Sequence, residues 1–178
     1  MPERPDRVVL VGFMGSGKTS VGRLLARRIG YRFEDMDRRI ERRAGQTIAE
    51  IFRSEGEEAF RERERQEAEA LSRLPRRVVA AGGGAFARPE TRALLQRGAL
   101  TVWLRCDIER ILARVRPDGS RPLAVNRDIM RALLAEREPA YREANVTVEA
   151  SAGTPREVAE RIAELIEGRV RRRATARR

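Results

Sequence analysis

The chain has 178 residues, of which 41% are apolar, 4% aromatic and 37% charged, a balance that suits one globular domain with an aliphatic interior and an ionised surface. It has no histidine and a single cysteine, Cys106, which excludes a histidine general base, most transition-metal sites and an intramolecular disulfide. Six of its eleven net positive charges fall in residues 169–178, so the body, residues 1–168, carries the other five, which suits anionic small molecules and gives no reason to expect nucleic acid.

Arg7 to Val11 is β-branched and apolar at consecutive positions, the pattern of a parallel strand covered on both faces. Glycines follow at 12, 15 and 17, and then Val21, Leu24, Leu25 and Ile29 recur at helical spacing until Gly30. The chain therefore opens as strand, glycine loop, helix. Tyr31 to Glu34 is predicted as a short second strand. Helices are predicted over Met36 to Ala44, over Thr47 to Ser54 with Thr47 and Glu50 as a capping box, and over Glu57 to Leu74. Val78 to Ala81 reads as a third strand ending in Gly82-Gly83-Gly84, Pro89 opens the next helix, Leu100 to Leu104 is a fourth strand, and Asp107 to Val115 is helical. Arg116 to Asn126 holds two prolines and a glycine among charges, so it is expected to be a loop and a lid. A helix from Asp128 to Arg142, a strand from Val146 to Glu149 and a helix from Pro155 to Val170 complete an α/β layered fold on a mainly parallel sheet of about five strands. Residues 1–168 are expected to form one domain and residues 169–178 a disordered basic tail. The charged start and the short apolar stretch behind it predict no targeting segment and no membrane span, hence a cytoplasmic protein.

Gly12-Phe13-Met14-Gly15-Ser16-Gly17-Lys18-Thr19 matches G-x-x-x-x-G-K-[ST] between a predicted strand and a predicted helix. Gly15, Ser16 and Gly17 belong to a loop whose N–H groups turn inward around phosphate oxygens, Lys18 brings a compact charge to the outer phosphates, the Thr19 hydroxyl suits Mg²⁺, and Ser20, next in the helix that the motif opens, is counted with the nucleotide-binding residues. Lys18 is the chain's one lysine beside 37 arginines, which points to a geometric need for an ammonium at this place. Asp35 and Asp37 follow the second strand, where both carboxylates can enter the same cleft, although acids also cap helices. Gly82, Gly83 and Gly84 imply close approach of the backbone to something, or else a tight turn. Arg61 lies one helical turn before Glu64, an acid on the apolar stripe of Phe60, Ala68 and Leu71, and is its natural partner. Arg121 and Arg137 have only their residue type and position in their favour.

Together with Gly45-Gln46-Thr47-Ile48-Ala49-Glu50-Ile51-Phe52, Gly56-Glu57-x-x-Phe60-Arg61-x-x-Glu64, Arg121-Pro122-Leu123 and Arg137-x-Pro139-x-Tyr141, these motifs resemble the shikimate kinase family from about Val8 to about Ile166. The resemblance implies a P-loop kinase fold of the nucleoside monophosphate kinase type, three layers around a five-stranded parallel sheet of order 2-3-1-4-5, with residues 116–126 as the lid. It implies transfer of the γ-phosphoryl group of ATP to the 3-hydroxyl of shikimate, on the route to chorismate and the aromatic amino acids. Thr19 and Asp35 would anchor Mg²⁺, Asp35 through water. Asp37 would bind the substrate hydroxyls and accept the proton, Arg61 and Arg137 would grip the carboxylate, and Gly82, Gly83 and Gly84 would line the substrate with backbone. Arg121 would reach the ATP phosphates and Arg116 would border the adenine. ATP and shikimate are the expected partners of a monomer, with no membrane or nucleic acid. A gluconate kinase would share the P-loop without needing the two arginines, and an idle kinase-like module would not need Lys18, Thr19, Asp35 and Asp37 intact.

Overall fold

Five strands form one sheet: β1 (Arg7–Val11), β2 (Arg32–Asp35), β3 (Arg77–Ala80), β4 (Ala99–Arg105) and β5 (Val146–Glu149). Their order is β2-β3-β1-β4-β5 and every neighbouring pair is parallel, as the family likeness implied. The computed structural model describes residues 4–114 and 126–175. In it Val8 lies opposite Val78 on one side and Leu100 on the other, and residues 8 to 11 are at most 1% exposed. A strand covered on both faces needs apolar side chains at consecutive positions, which is why this run shows no alternation.

The helices are α1 (Lys18–Ile29), α2 (Met36–Ala44), α3 (Ile48–Ser54), α4 (Gly56–Ser72), α5 (Pro89–Gln96), α6 (Ile108–Arg114), α7 (Arg127–Tyr141) and α8 (Pro155–Thr175). Helix α1 buries Val21, Leu25 and Ile29 and packs along α8, while α4 packs against α2, α3 and α5. The capping box of α3 is present as predicted, with the Glu50 N–H donating to Thr47 Oγ1 and the Thr47 N–H donating to the Glu50 carboxylate. This stacking brings the carboxyl ends of β1, β2 and β3 to one edge of the sheet, where ligands of such folds bind.

Most elements differ from the sequence reading by a residue or two at an end, and the differences in β2, β3 and α8 bear on the site and the basic segment. Strand β2 includes Asp35, because Asp35 pairs with Ala80 before its side chain turns to cap α2, and β3 begins at Arg77. Helix α8 continues to Thr175, past the predicted end at Val170, so the first part of the basic segment is helix and not disordered tail. Arginine is a good helix former, no glycine or proline occurs between 169 and 175, and Arg169 donates to the Asn145 carbonyl at 3.3 Å. Of the predicted lid only Asn126 is among the described residues, and its side chain caps α7 by accepting from the Asp128 N–H. Among the described residues no helix is long and apolar enough to cross a membrane.

Candidate active site

Beyond Val11 the chain turns through a loop in which Gly12, Gly15 and Gly17 have φ of +139°, +75° and +96°, values that L side chains rarely adopt. Gly17 opens α1 with no side-chain cap, so the first amides of the helix are left to the loop and whatever it encloses. The Lys18 ammonium lies across this loop, donating to the carbonyls of Gly12 at 2.7 Å and Phe13 at 2.8 Å. Next to it the Thr19 hydroxyl donates to Asp35 Oδ2 at 2.8 Å, while Asp35 Oδ1 accepts from the Arg38 N–H at 3.3 Å. Asp35 therefore caps a helix and meets the phosphate loop at once, so the two readings of this acid are both true.

Asp37, two residues on, has a different neighbourhood. A Cβ on Gly82 would sit 2.8 Å from Asp37 Oδ1 and 2.6 Å from Glu64 Oε1, and one on Gly84 would sit 2.6 Å from the Arg61 guanidinium. The triglycine is thus a place where backbone takes the space that side chains would occupy, and it is also a tight turn, with the Ala85 N–H donating to the Gly82 carbonyl at 3.1 Å. Arg61 donates to Glu64 Oε2 at 2.5 Å, as its spacing predicted, and to Glu57 Oε1 at 2.8 Å. Arg137 is 5% exposed, stands 5.9 Å above the Phe13 ring, and among the described residues forms an ion pair with no carboxylate. Its guanidinium would be 3.7 Å from a Cβ on Gly83.

These groups share one open cavity of ≈ 830 Å³. Gly15, Gly17, Lys18, Thr19, Ser20, Asp35, Asp37, Arg61, Gly83, Gly84 and Arg137 all line it, and Gly82 lies directly against Asp37 and Glu64. Ser16 is buried in the loop, and its hydroxyl has no hydrogen-bond partner among the described residues. Arg116 and Arg121 lie outside the described residues. The cavity also takes in residues to which the sequence reading gave no role there: Met14, Ile48, Phe52 and Phe60 as an apolar wall, Glu64 as an acid facing Asp37, and Arg114 and Pro155 at the ends of α6 and α8. Phe60 and Glu64 carried a signal, since both lie on the buried stripe of α4.

Electrostatics separate the acids. Burial, then the charges of Glu64 and Asp35, push Asp37 up from the ordinary carboxylate range to about 7, against the pull of Lys18. Burial also raises Glu64, and the Arg61 guanidinium opposes that rise. A second buried acid on α4, Glu67, accepts from Arg39 of α2 and lies 3.3 Å from Arg43. Arg39 also donates to Glu34 of β2 at 3.0 Å, so an ionic network ties the helix carrying Asp37 to the one carrying Arg61.

A family model described as shikimate kinase matches residues 14–167. The chain belongs to the shikimate kinase family. The shikimate kinase of Caulobacter vibrioides is 48% identical over 161 residues, covering 89% of this chain and 80% of the relative. A structure of shikimate kinase from Acinetobacter baumannii in complex with shikimate superimposes with a TM-score of 0.89 at 40% identity, over 92% of this chain and 94% of that one. A gluconokinase structure from Sinorhizobium meliloti reaches a TM-score of 0.60 at 20% identity over 93% and 97% of the two chains, a likeness of fold alone. As a member of the shikimate kinase family the chain is an ATP-dependent phosphotransferase that acts on an alcohol, with the P-loop kinase fold.

Proposed function

We propose that the chain phosphorylates shikimate by direct transfer from ATP. The oxygen of the 3-hydroxyl attacks the γ-phosphorus, the bond from that phosphorus to the β–γ bridging oxygen breaks, ADP leaves, and the hydroxyl proton passes to the Asp37 carboxylate. The observation that carries this reading is Arg137, a buried guanidinium with no carboxylate partner among the described residues, in the same cavity as the phosphate loop. A buried cation with no carboxylate salt bridge is costly even beside the Tyr141 hydroxyl, and a planar substrate carboxylate relieves that cost through paired N–H···O bonds. Arg61, held by Glu57 and Glu64, supplies a second guanidinium on the other side of the triglycine turn.

With the carboxylate held there, the ring hydroxyls lie toward Asp37. A proton acceptor is most effective when its pKa lies near the working pH, and in the protein free of nucleotide and metal burial and the facing acids already raise Asp37 in that direction, to about 7. Lys18 and the loop amides face the phosphates, where negative charge spreads over oxygens during transfer. The donor set also fits Mg²⁺: the Thr19 hydroxyl and the Asp35 carboxylate are adjacent hard oxygens. Among the described residues no three acidic or sulfur side chains gather to hold a metal, so these two would hold the ion together with nucleotide phosphates. When bound, the ion neutralises charge on the phosphoryl oxygens.

Titration calorimetry with shikimate and with its methyl ester tests the carboxylate reading. Binding of the ester at least thirtyfold weaker is expected, and equal binding of the two refutes it.

A further inference from the structure

Tyr141 closes α7, has 0% exposure and is the bulkiest fully buried side chain among the described residues. Its hydroxyl donates to the carbonyl oxygen of Gly83, a residue 58 positions away. That carbonyl belongs to the central peptide of the four-residue turn Gly82 to Ala85, which the Ala85 N–H closes on the Gly82 carbonyl at 3.1 Å. Gly84 has φ −99° and ψ −14°, the values of the third residue of a type I turn. Type I and type II turns differ by a flip of this central peptide, and type II asks for positive φ at the third residue, which glycine adopts freely. The sequence Gly83-Gly84 therefore admits both orientations at similar cost, and something outside the turn must choose between them.

The neighbouring peptides are already fixed, because the Gly82 carbonyl accepts from Ala85 and the Gly84 carbonyl from Ala87. Only the Gly83 carbonyl depends on a side chain. In a trans peptide the carbonyl and the following N–H point in opposite directions, and no cis peptide is present among the described residues. Fixing the Gly83 oxygen on the phenol thus fixes the Gly84 N–H on the opposite side. Among the described residues neither the Gly83 nor the Gly84 N–H has an acceptor, and both residues line the cavity between Arg61 and Arg137.

We propose that Tyr141 is a positioning residue of the substrate site, whose hydroxyl selects one orientation of the Gly83–Gly84 peptide and so presets the backbone donors that a bound substrate meets. This rests on the reading of the cavity as the shikimate site. The phenol is suited to the task, since burial pushes it up to about 12, opposed by Arg137 beside it, and it remains a donor across the working range of pH. Arg137 lies one turn earlier on the same helix, so α7 brings a guanidinium and the hydroxyl that orders the turn to the substrate together.

Tyr141→Phe keeps the ring and removes the hydroxyl. Carbonyl ¹³C and amide spectra, melting temperature and steady-state kinetics are measured on parent, Tyr141→Phe and Tyr31→Phe. Tyr31 is the other tyrosine, whose hydroxyl donates to the Pro5 carbonyl at 2.9 Å and which does not line the cavity. For Tyr141→Phe the expected result is a displaced Gly83 carbonyl signal, a broadened Gly84 amide, a KM for shikimate raised about tenfold, and a kcat and a KM for ATP within about twofold of the parent. Tyr31→Phe leaves all of these unchanged. A residue that only fills space predicts no KM split, so an unchanged shikimate KM, or an unmoved Gly83 signal, overturns the proposal. If the parent does not turn over shikimate, the functional reading has failed, and the Gly83 signal alone decides whether Tyr141 orders the turn. Should Tyr141→Phe fail to fold, the parent decides: a Tyr141 hydroxyl proton protected from exchange with water supports the bond, and a freely exchanging one overturns it.

Discussion

Arg61→Met and Arg137→Met each remove one guanidinium and keep most of the stem, yet the structure gives them different consequences. Glu64 is 1% exposed and accepts from Arg61 at 2.5 Å, so Arg61→Met leaves a buried carboxylate without its partner. Breaking a buried pair in this way costs about 3 to 5 kcal/mol. Glu64 avoids part of that by taking up a proton, which burial already favours, so the destabilisation shrinks as the pH falls. Arg137 forms no ion pair with a carboxylate among the described residues, so Arg137→Met breaks no salt bridge; Glu64 loses only a more distant attracting charge, and Arg137→Met destabilises the fold less than Arg61→Met does. Its loss falls on the substrate: two charge-assisted bonds to a carboxylate in a desolvated site are together about 2 to 4 kcal/mol, which is roughly 30- to 1000-fold in kcat/KM for shikimate. The KM for ATP changes by less than about threefold. Urea denaturation at pH 6 and pH 8, together with initial rates against both substrates, separates the two variants. If Arg137→Met destabilises the fold as much as Arg61→Met does, or if its kinetic loss falls on ATP, the assignment of Arg137 as the carboxylate receptor is wrong.

Lys18→Ala lowers turnover by on the order of a hundredfold or more, since it removes the ammonium from the loop where charge develops; a rate near that of the parent refutes the phosphate-loop role. Asp37, raised from 3.8 to about 7, holds its proton more tightly when folded than when unfolded, so in the protein free of nucleotide and metal its contribution to stability falls as pH rises from about 4 through 7, by at most about 4 kcal/mol. Asp37→Asn is therefore more stable than the parent at pH 8 and not at pH 4.5, and thermal melts in which the gap does not widen with pH contradict the buried-acid reading. Deleting residues 171–178 leaves shikimate turnover within about twofold, because charges at a chain terminus contribute little to the body. A loss at low salt alone indicates electrostatic steering of anionic substrates, and a loss at every salt concentration shows that the segment belongs to the working fold.

The parts of the site legible in the sequence are those set by local spacing. The unbroken apolar run of β1, the glycine pattern of the loop and the Thr47–Glu50 box each need only a few neighbouring residues, and each appears where expected. Arg61 and Glu64 were readable for the same reason, being one helical turn apart on a stripe that should be apolar. Glu67 was readable in principle, since it follows Glu64 by one turn and precedes Leu71 by another, but a charge on a helix rich in charge looks like surface until its burial is seen. The facing of Glu64 and Asp37 across Gly82 was not legible, because it depends on β2 and β3 ending side by side while α2 and α4 pack together. The bond from Tyr141 to Gly83 likewise joins residues whose proximity comes from topology, and no local pattern encodes it. Strand order came from the family resemblance, since the apolar runs alone do not say which strand neighbours which.

The most direct measurement is ³¹P NMR of the purified protein with ATP, Mg²⁺ and one acceptor at a time. With shikimate, the ATP signals give way to ADP and a phosphomonoester in equal amounts, proton correlation places the phosphate on the 3-oxygen, and gluconate in place of shikimate yields no ester. An ester formed with gluconate and not with shikimate, or ATP consumed at the same rate with no acceptor present, contradicts the account.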